Sequence, residues 1–228
     1  MKSLLTKQQV EELRSIDTPT LCNAIESFNI RDRTEGFLGS KIRSITPEFG
    51  TMFGYAVTAL VDASTPGAPP DPATWKSWVM AMFDAPKPCV LVFKDIGPNP
   101  EKSAHCGEVM ATLAKKLGTV GLITDGGVRD INEVKRLGFH YFAAGLVPAH
   151  GTTRFIEVNV PVEIDGVTVK PGDLIHADVN GVTTLPVEIV DRIMDAVMKV
   201  RVREAKLMEY MKSEQLKIQE LIDRVFEH

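Results

Sequence analysis

Cys89-Val90-Leu91-Val92-Phe93, Val120-Gly121-Leu122-Ile123 and Phe139-His140-Tyr141-Phe142-Ala143-Ala144 are three short, largely apolar runs. Between them lie two segments of helical pattern, Val109 to Leu117 and Ile131 to Leu137, closed by Gly118 and Gly138. A glycine at that position takes the left-handed conformation that ends a helix. Short continuous apolar runs suit strands buried on both faces of a parallel sheet. The order is therefore βαβαβ, which predicts an α/β fold with a parallel core.

Upstream, a helix is expected through Trp75, Trp78, Val79 and Met82, after a proline-rich loop from Ser64 to Pro72 and a strand from Tyr55 to Val61. Residues 29–55 show no sustained period. Two helices open the chain: Thr6 with Gln9 forms a capping box, and Thr18-Pro19 reads as a cap followed by a first-turn proline. Downstream of Gly151 the pattern turns to hairpins, with Asp165-Gly166 and Asn180-Gly181 as expected type I′ turns. Val187 to His228 contains neither proline nor glycine and reads as one long amphipathic helix or two. The length of 228 residues suits one α/β domain, residues 1–186, carrying a helical extension, residues 187–228.

Composition narrows the function. Basic residues number 26 against 30 acidic, a net charge of −4 that gives no long-range attraction for nucleic acid or an anionic membrane. No apolar run approaches the ~20 residues of a membrane span, and Met1 to Gln9 lacks the apolar core of a secretory signal. A cytoplasmic chain is the expectation. Cys22, Cys89 and Cys106 are odd in number and widely spaced, which favours free thiols.

Ligands of parallel sheets gather where strands end and helices begin. Two such loops carry chemistry. Ser103 to Met110 places Gly107 before the opening amides of a helix, an anion-binding arrangement. Thr124 to Asp130 brings Gly126-Gly127, Arg129 and Asp130 to the next strand end, with Glu133 one turn on and Glu108 on the neighbouring helix. Arg129 can grip a carboxylate with two prongs, or simply neutralise Asp130. Oxygen ligands of this kind suit Mg²⁺ or Mn²⁺. Plainer readings stand beside these: Gly126-Gly127 as a turn, Asp130 and Glu133 as ordinary helix-start charges, and His105 and Cys106 as packing. Asp125 would orient its loop, His176 would be structural, and Trp75 and Trp78 would belong to the core.

The spacing of Glu108, twenty residues, Arg129-Asp130, two residues, Glu133 resembles the signature of the class II pyruvate aldolases that cleave 4-hydroxy-4-methyl-2-oxoglutarate. Asp125 to Asp130 and Pro171 to Val182 also resemble the wider family that includes the regulator of ribonuclease activity A. The resemblance runs from about Thr18 to Pro186. It implies a swivelling-type β/β/α sandwich that assembles as homotrimers or dimers of trimers. It also implies that Asp130 is the direct metal ligand, that Glu108 and Glu133 act on the metal through water, and that Arg129 binds the keto acid and its enolate. The amides of Gly107, Glu108, Val109 and Met110 would then hold the pyruvyl carboxylate. Glu108 departs from the aspartate frequent at that family position and adds one methylene of reach. The expected activity is a Mg²⁺- or Mn²⁺-dependent lyase for small 2-keto acids that also decarboxylates oxaloacetate, with Arg129, Glu108 and Glu133 catalytic. The resemblance equally allows a non-catalytic regulator of a ribonuclease. A Schiff-base route lacks a lysine in the Arg129 loop, Lys94 lying near another strand end.

Overall fold

A computed structural model of the chain describes residues 5–67 and 69–226. Met1 to Leu4 of the leader reading, Ala68 of the proline-rich loop and the last two residues of the extension lie outside it. In chain order the helices are α1 (Lys7–Arg14), α2 (Thr18–Glu26), α3 (Pro72–Asp84), α4 (Glu108–Lys116), α5 (Ile131–Leu137), α6 (Val190–Lys212) and α7 (Ile218–Phe226). The first strands are β1 (Arg43–Ser44), β2 (Met52–Asp62), β3 (Cys89–Asp95), β4 (Thr119–Thr124), β5 (Gly127–Val128) and β6 (His140–Ala143). Then follow β7 (Gly145–Leu146), β8 (Arg154–Val158), β9 (Val162–Ile164), β10 (Val167–Val169), β11 (Leu174–Asp178) and β12 (Gly181–Leu185).

The βαβαβ unit is present, and β2 extends its parallel sheet: β2, β3, β4 and β6 lie side by side, each parallel to the next. β11 and β8 pair antiparallel with the two halves of the other edge of β2, β12 follows β11, and β1 closes the far edge on β6. The fold is thus a mixed α/β sandwich with a long C-terminal helix. Alternation along the buried strands explains why they read as unbroken apolar runs. Leu91 and Phe93 face α3, α4 and α5, with Trp78, Met82, Ala111 and Val134, while Val90 and Val92 face the β9–β10 hairpin through Val162, Ile164 and Val169. Trp78 is buried, its ring stacked on Phe155 at 4.8 Å, whereas Trp75 is partly exposed. A third cluster joins Leu13 and Leu21 of the first helices to Leu185, Ile189 and Ile193, anchoring the start of α6 in the core. Beyond it, Met198, Val202, Met208 and Met211 are exposed.

Local chemistry corrects three expectations. The capping box at Thr6 and Gln9 is formed. The second helix, however, is capped by Asp17, whose carboxylate accepts from Thr20 N at 2.9 Å; Thr18 is already helical, and Pro19 follows it. Asp165 and Gly166 both have positive φ, as a type I′ turn requires. Asn180-Gly181 is not such a turn. Asp178 pairs with Gly181, so Val179 and Asn180 form the loop, and Asp178 Oδ1 accepts from Asn180 N at 2.8 Å in an Asx turn. Pro72 is not loop but the first residue of α3, because a helix start needs no N–H there. His176 is structural as expected, bonded between Thr18 Oγ1 and Leu13 O at 3.0 Å each.

His176 and His140 are both held uncharged. Burial lowers the pKa of each from the ordinary 6.5, that of His140 to about 4, with Arg14 and Lys115 adding to the effect there. A base depressed in the folded state gains affinity for its proton on unfolding, so stability is full above pH 6.5 and is lost as pH falls from 6.5 towards 4. Denaturant titrations should show unfolding free energy falling through that window. His140 alone should contribute a loss on the order of 3 kcal/mol, and His140→Phe should flatten the profile by about that amount. An unchanged profile in that folded variant would contradict the assignment.

Candidate functional site

β3 and β4 run in register, Val92 beside Ile123 and Phe93 beside Thr124, so the segments leaving their carboxyl ends emerge together. That edge is polar and buried. His105 Nε2 lies 2.6 Å from Asp95 Oδ2, and His105 Nδ1 lies 2.5 Å from Thr124 Oγ1. Thr124 Oγ1 also accepts from Gly126 N at 3.2 Å. Each ring nitrogen thus has one polar partner, a carboxylate on one side and a hydroxyl on the other. Asp125 accepts from Asp95 N at 2.9 Å and from Lys94 Nζ at 2.5 Å, tying the end of β3 to that of β4. β2 adds Asp62. Burial opposes its charge, but hydrogen bonds from Thr65, Ser64 and Arg154 outweigh burial and hold its carboxyl below the ordinary range.

The loop with His105 continues into Gly107, and there two elements meet. Asp130 caps α5 with a left-handed backbone, φ 57°, yet makes no side-chain bond to its own helix. Its Oδ2 instead accepts from Glu108 N, the opening amide of α4, at 2.9 Å. Arg129 Nε stands 3.7 Å from the same oxygen, and Arg129 N donates to Cys106 O at 3.1 Å. A Cβ on Gly107 would come within 2.4 Å of Asp130 Oδ2 and 3.0 Å of Arg129 Nε, so only glycine permits this approach. The first intrahelical bond of α4 is Ala111 N to Gly107 O. The amides of Val109 and Met110 therefore remain for a ligand, beside a positive helix end. Among the described residues, the terminal nitrogens of the Arg129 guanidinium have no protein partner, and neither has Asp130 Oδ1.

Of the residues singled out in the sequence, Gly107, Glu108, Arg129 and Asp130 are brought into one contact set, with Val109 and Met110 following on α4. The Glu108 carboxylate is exposed, and Glu133 Oε1 is held by Arg136 at 3.0 Å. Among the described residues no three His, Cys, Asp or Glu side chains are gathered as a metal cage. The donor set instead suits a hydrated Mg²⁺ or Mn²⁺ resting on one carboxylate, Asp130, since such ions keep several waters. Cys106 is packing: burial pushes its thiol up to about 12. His105 is not. Its polar partners Asp95 and Thr124 are distant in sequence and met only through the pairing of β3 with β4, which no spacing reveals. Gly126 and Gly127 are not a flexible turn either, for neither has positive φ. Cβ atoms there would strike His105 Cε1 at 2.2 Å and Val147 Cγ2 at 2.6 Å.

The family model RraA-like, Aldolase/RraA, matches residues 18–184. The chain belongs to the RraA-like family. Among its relatives, an uncharacterized protein of Methanocaldococcus jannaschii is 28% identical over 86% of each chain. A Halalkalibacterium halodurans protein named "putative 4-hydroxy-4-methyl-2-oxoglutarate aldolase" is 37% identical over 46% of this chain and 50% of its own. The crystal structure of Streptomyces coelicolor RraAS2, described as an unusual member of the RNase ES inhibitor RraA protein family, superposes with a TM-score of 0.70 at 21% identity, covering 90% of this chain and 98% of that one. It shows the fold in common.

Because two glycines of this RraA-like site are fixed by contact, Gly107→Ala and Gly126→Ala should each lower stability by about 1 to 3 kcal/mol, the usual cost of overpacking. Gly145 meets nothing within 4 Å, and Gly145→Ala should stay within about 0.5 kcal/mol of the parent. Equal urea midpoints for all three variants would show that the close approaches are not rigid.

Proposed function

We propose that this protein is a divalent-metal-dependent carbon–carbon lyase for 2-keto acids of the 4-hydroxy-4-methyl-2-oxoglutarate type, releasing pyruvate and also decarboxylating oxaloacetate. One observation carries the reading: at Gly107 the structure gathers uncommitted amides of α4, the free face of the Arg129 guanidinium and the Asp130 carboxylate at one strand end. The relatives named as aldolases support it.

In this reading the Val109 and Met110 amides bind the carboxylate of the keto acid, where the helix end favours negative charge. Arg129 lies beside the keto oxygen and offsets the charge that grows there as the bond to the departing fragment breaks, a term stronger in the transition state than in the ground state. Asp130 would hold the cation, with Glu108 and Glu133 acting on it through water. A bound Mg²⁺ or Mn²⁺ would supply Lewis acidity to the keto oxygen. The Glu108 carboxylate, exposed and without a partner among the described residues, moves the proton of the substrate hydroxyl by way of water. Cleavage and decarboxylation both place negative charge on the same oxygen, so one site serves both.

Pyruvate release from 4-hydroxy-4-methyl-2-oxoglutarate and from oxaloacetate should disappear in excess chelator and return with Mg²⁺ or Mn²⁺. Arg129→Lys should fold normally yet lose roughly 100- to 1,000-fold in kcat, with kcat/KM falling in parallel, because lysine cannot reproduce a two-pronged donor. Asp130→Ala should lose metal activation, and Glu108→Ala should weaken it roughly 10- to 100-fold. A folded Arg129→Lys with normal turnover, or full turnover in excess chelator, would sink the mechanism. No turnover on either substrate would leave the ribonuclease-regulator reading ahead.

A further inference from the structure

At the opposite pole of the sheet, where the parallel strands begin, α1 lies across a cavity of about 600 Å³. Lys7 and Arg14 of α1, Lys87 before β3 and Lys115 of α4 line it, with His140 at the start of β6. Glu11 is the one carboxylate of the lining among the described residues. It lies 3.3 Å from Arg14, and both side chains are largely solvent-exposed, so the pair is weak. Lys87 spends its ammonium on the carbonyl of Met82, and Lys115 on those of Leu137 and Gly138, the end of α5. Neither cation meets a carboxylate among the described residues. Lys7 has no partner there at all.

The charges can be weighed. Four side-chain cations face one carboxylate and the ends of α3, α4 and α5, each end equivalent to roughly half a negative charge. Between roughly one and two positive charges are left over. His140 adds an unsatisfied polar atom: the residue is 6% exposed, and Nδ1 is buried without a hydrogen-bond partner among the described residues. The ring edge packs on Phe49 at 5.5 Å between centroids. Glu48, next to Phe49, is paired with Lys135 at 2.8 Å. A surplus of cations around a cavity with an apolar wall of Val10, Phe53 and Val120 suits a ligand bearing more than one negative charge on a compact frame.

The geometry points to a second binding site on this protein, at the pole opposite Arg129, for a small polyanion of phosphate or polycarboxylate chemistry held by Lys7, Arg14, Lys87 and Lys115 over His140. It does not rest on the lyase reading, since none of these residues belongs to the Arg129 site. An occupying anion would also screen Arg14 and Lys115, two of the influences that keep His140 uncharged.

The test follows the His140 ring by NMR in the full chain while pyrophosphate, and separately citrate, is added at ionic strength held constant with NaCl. At least one should give a saturable shift of His140, leave the exposed His150 and the buried His176 unmoved, and raise the His140 pKa above about 4. Pyrophosphate alone saturating would assign phosphate chemistry, and citrate alone polycarboxylate chemistry. Arg14→Gln and Lys7→Gln, which leave the core untouched, should each weaken binding at least about tenfold, the loss of one charge-assisted hydrogen bond. Failure of both anions to give a saturable His140 shift would overturn the site, as would a midpoint unchanged from the parent's in both folded variants.

Discussion

A strand buried on both faces must find partners inside the protein for its backbone N–H and C=O groups, and β2 finds them on both of its edges. One edge pairs with β3 from Tyr55 to Val61. The other is divided: β11 takes Met52 to Tyr55, and β8 takes Ala59 to Asp62 across a register shift between Leu60 and Val61. The parallel block, the antiparallel hairpin and the segment leading to β9 are all held by this one strand. Its carboxyl end sets Val61 opposite Asp95 with Asp62 next in line, and its amino end delivers Met52 and Phe53 to the basic cavity.

Much of this architecture was legible in the residues, and the gaps have physical causes. The runs at Cys89, Val120 and Phe139 announced buried strands because both faces of each are covered, and Gly118 and Gly138 marked helix ends through positive φ. Asn180-Gly181 misled because Asp178 offers its own side chain to Asn180 N, shifting the loop by one residue. Thr18 lost the cap to Asp17, a shorter path for a carboxylate to Thr20 N. At the site, the resemblance singled out Gly107, Glu108, Arg129 and Asp130, and the fold brings them into contact. The Asp95–His105–Thr124 chain was out of reach, being joined by strand register alone. The basic cavity was equally hidden, since Lys7, Lys87 and Lys115 come from three unrelated segments.

The two ends of the sheet differ in electrical character for a reason built into βα units. Helices start at the carboxyl ends of the parallel strands and finish at the amino ends, so their dipoles place positive potential near Arg129 and negative potential near His140. At the first pole the protein sets Asp130 against that potential, its carboxylate taking the opening amide of α4. At the second it sets Lys115 against the closing carbonyls of α5. The compensation is partial at both poles. The Val109 and Met110 amides are left over at one, and surplus cations at the other.

The left-handed backbone at Asp130 bears on how this position can vary among descendants of the same sequence. Asparagine and aspartate visit that conformation more readily than other side chains, and glycine does so freely. Glycine would surrender the carboxylate, asparagine would keep the shape but lose the charge, and glutamate would be disfavoured by the backbone and would overshoot the Glu108 amide. Only one of the twenty residues meets all three demands together. Drift at Asp130 is therefore closed off by conformation as well as by chemistry, while the α4 residues facing it are free to change so long as their amides stay in place.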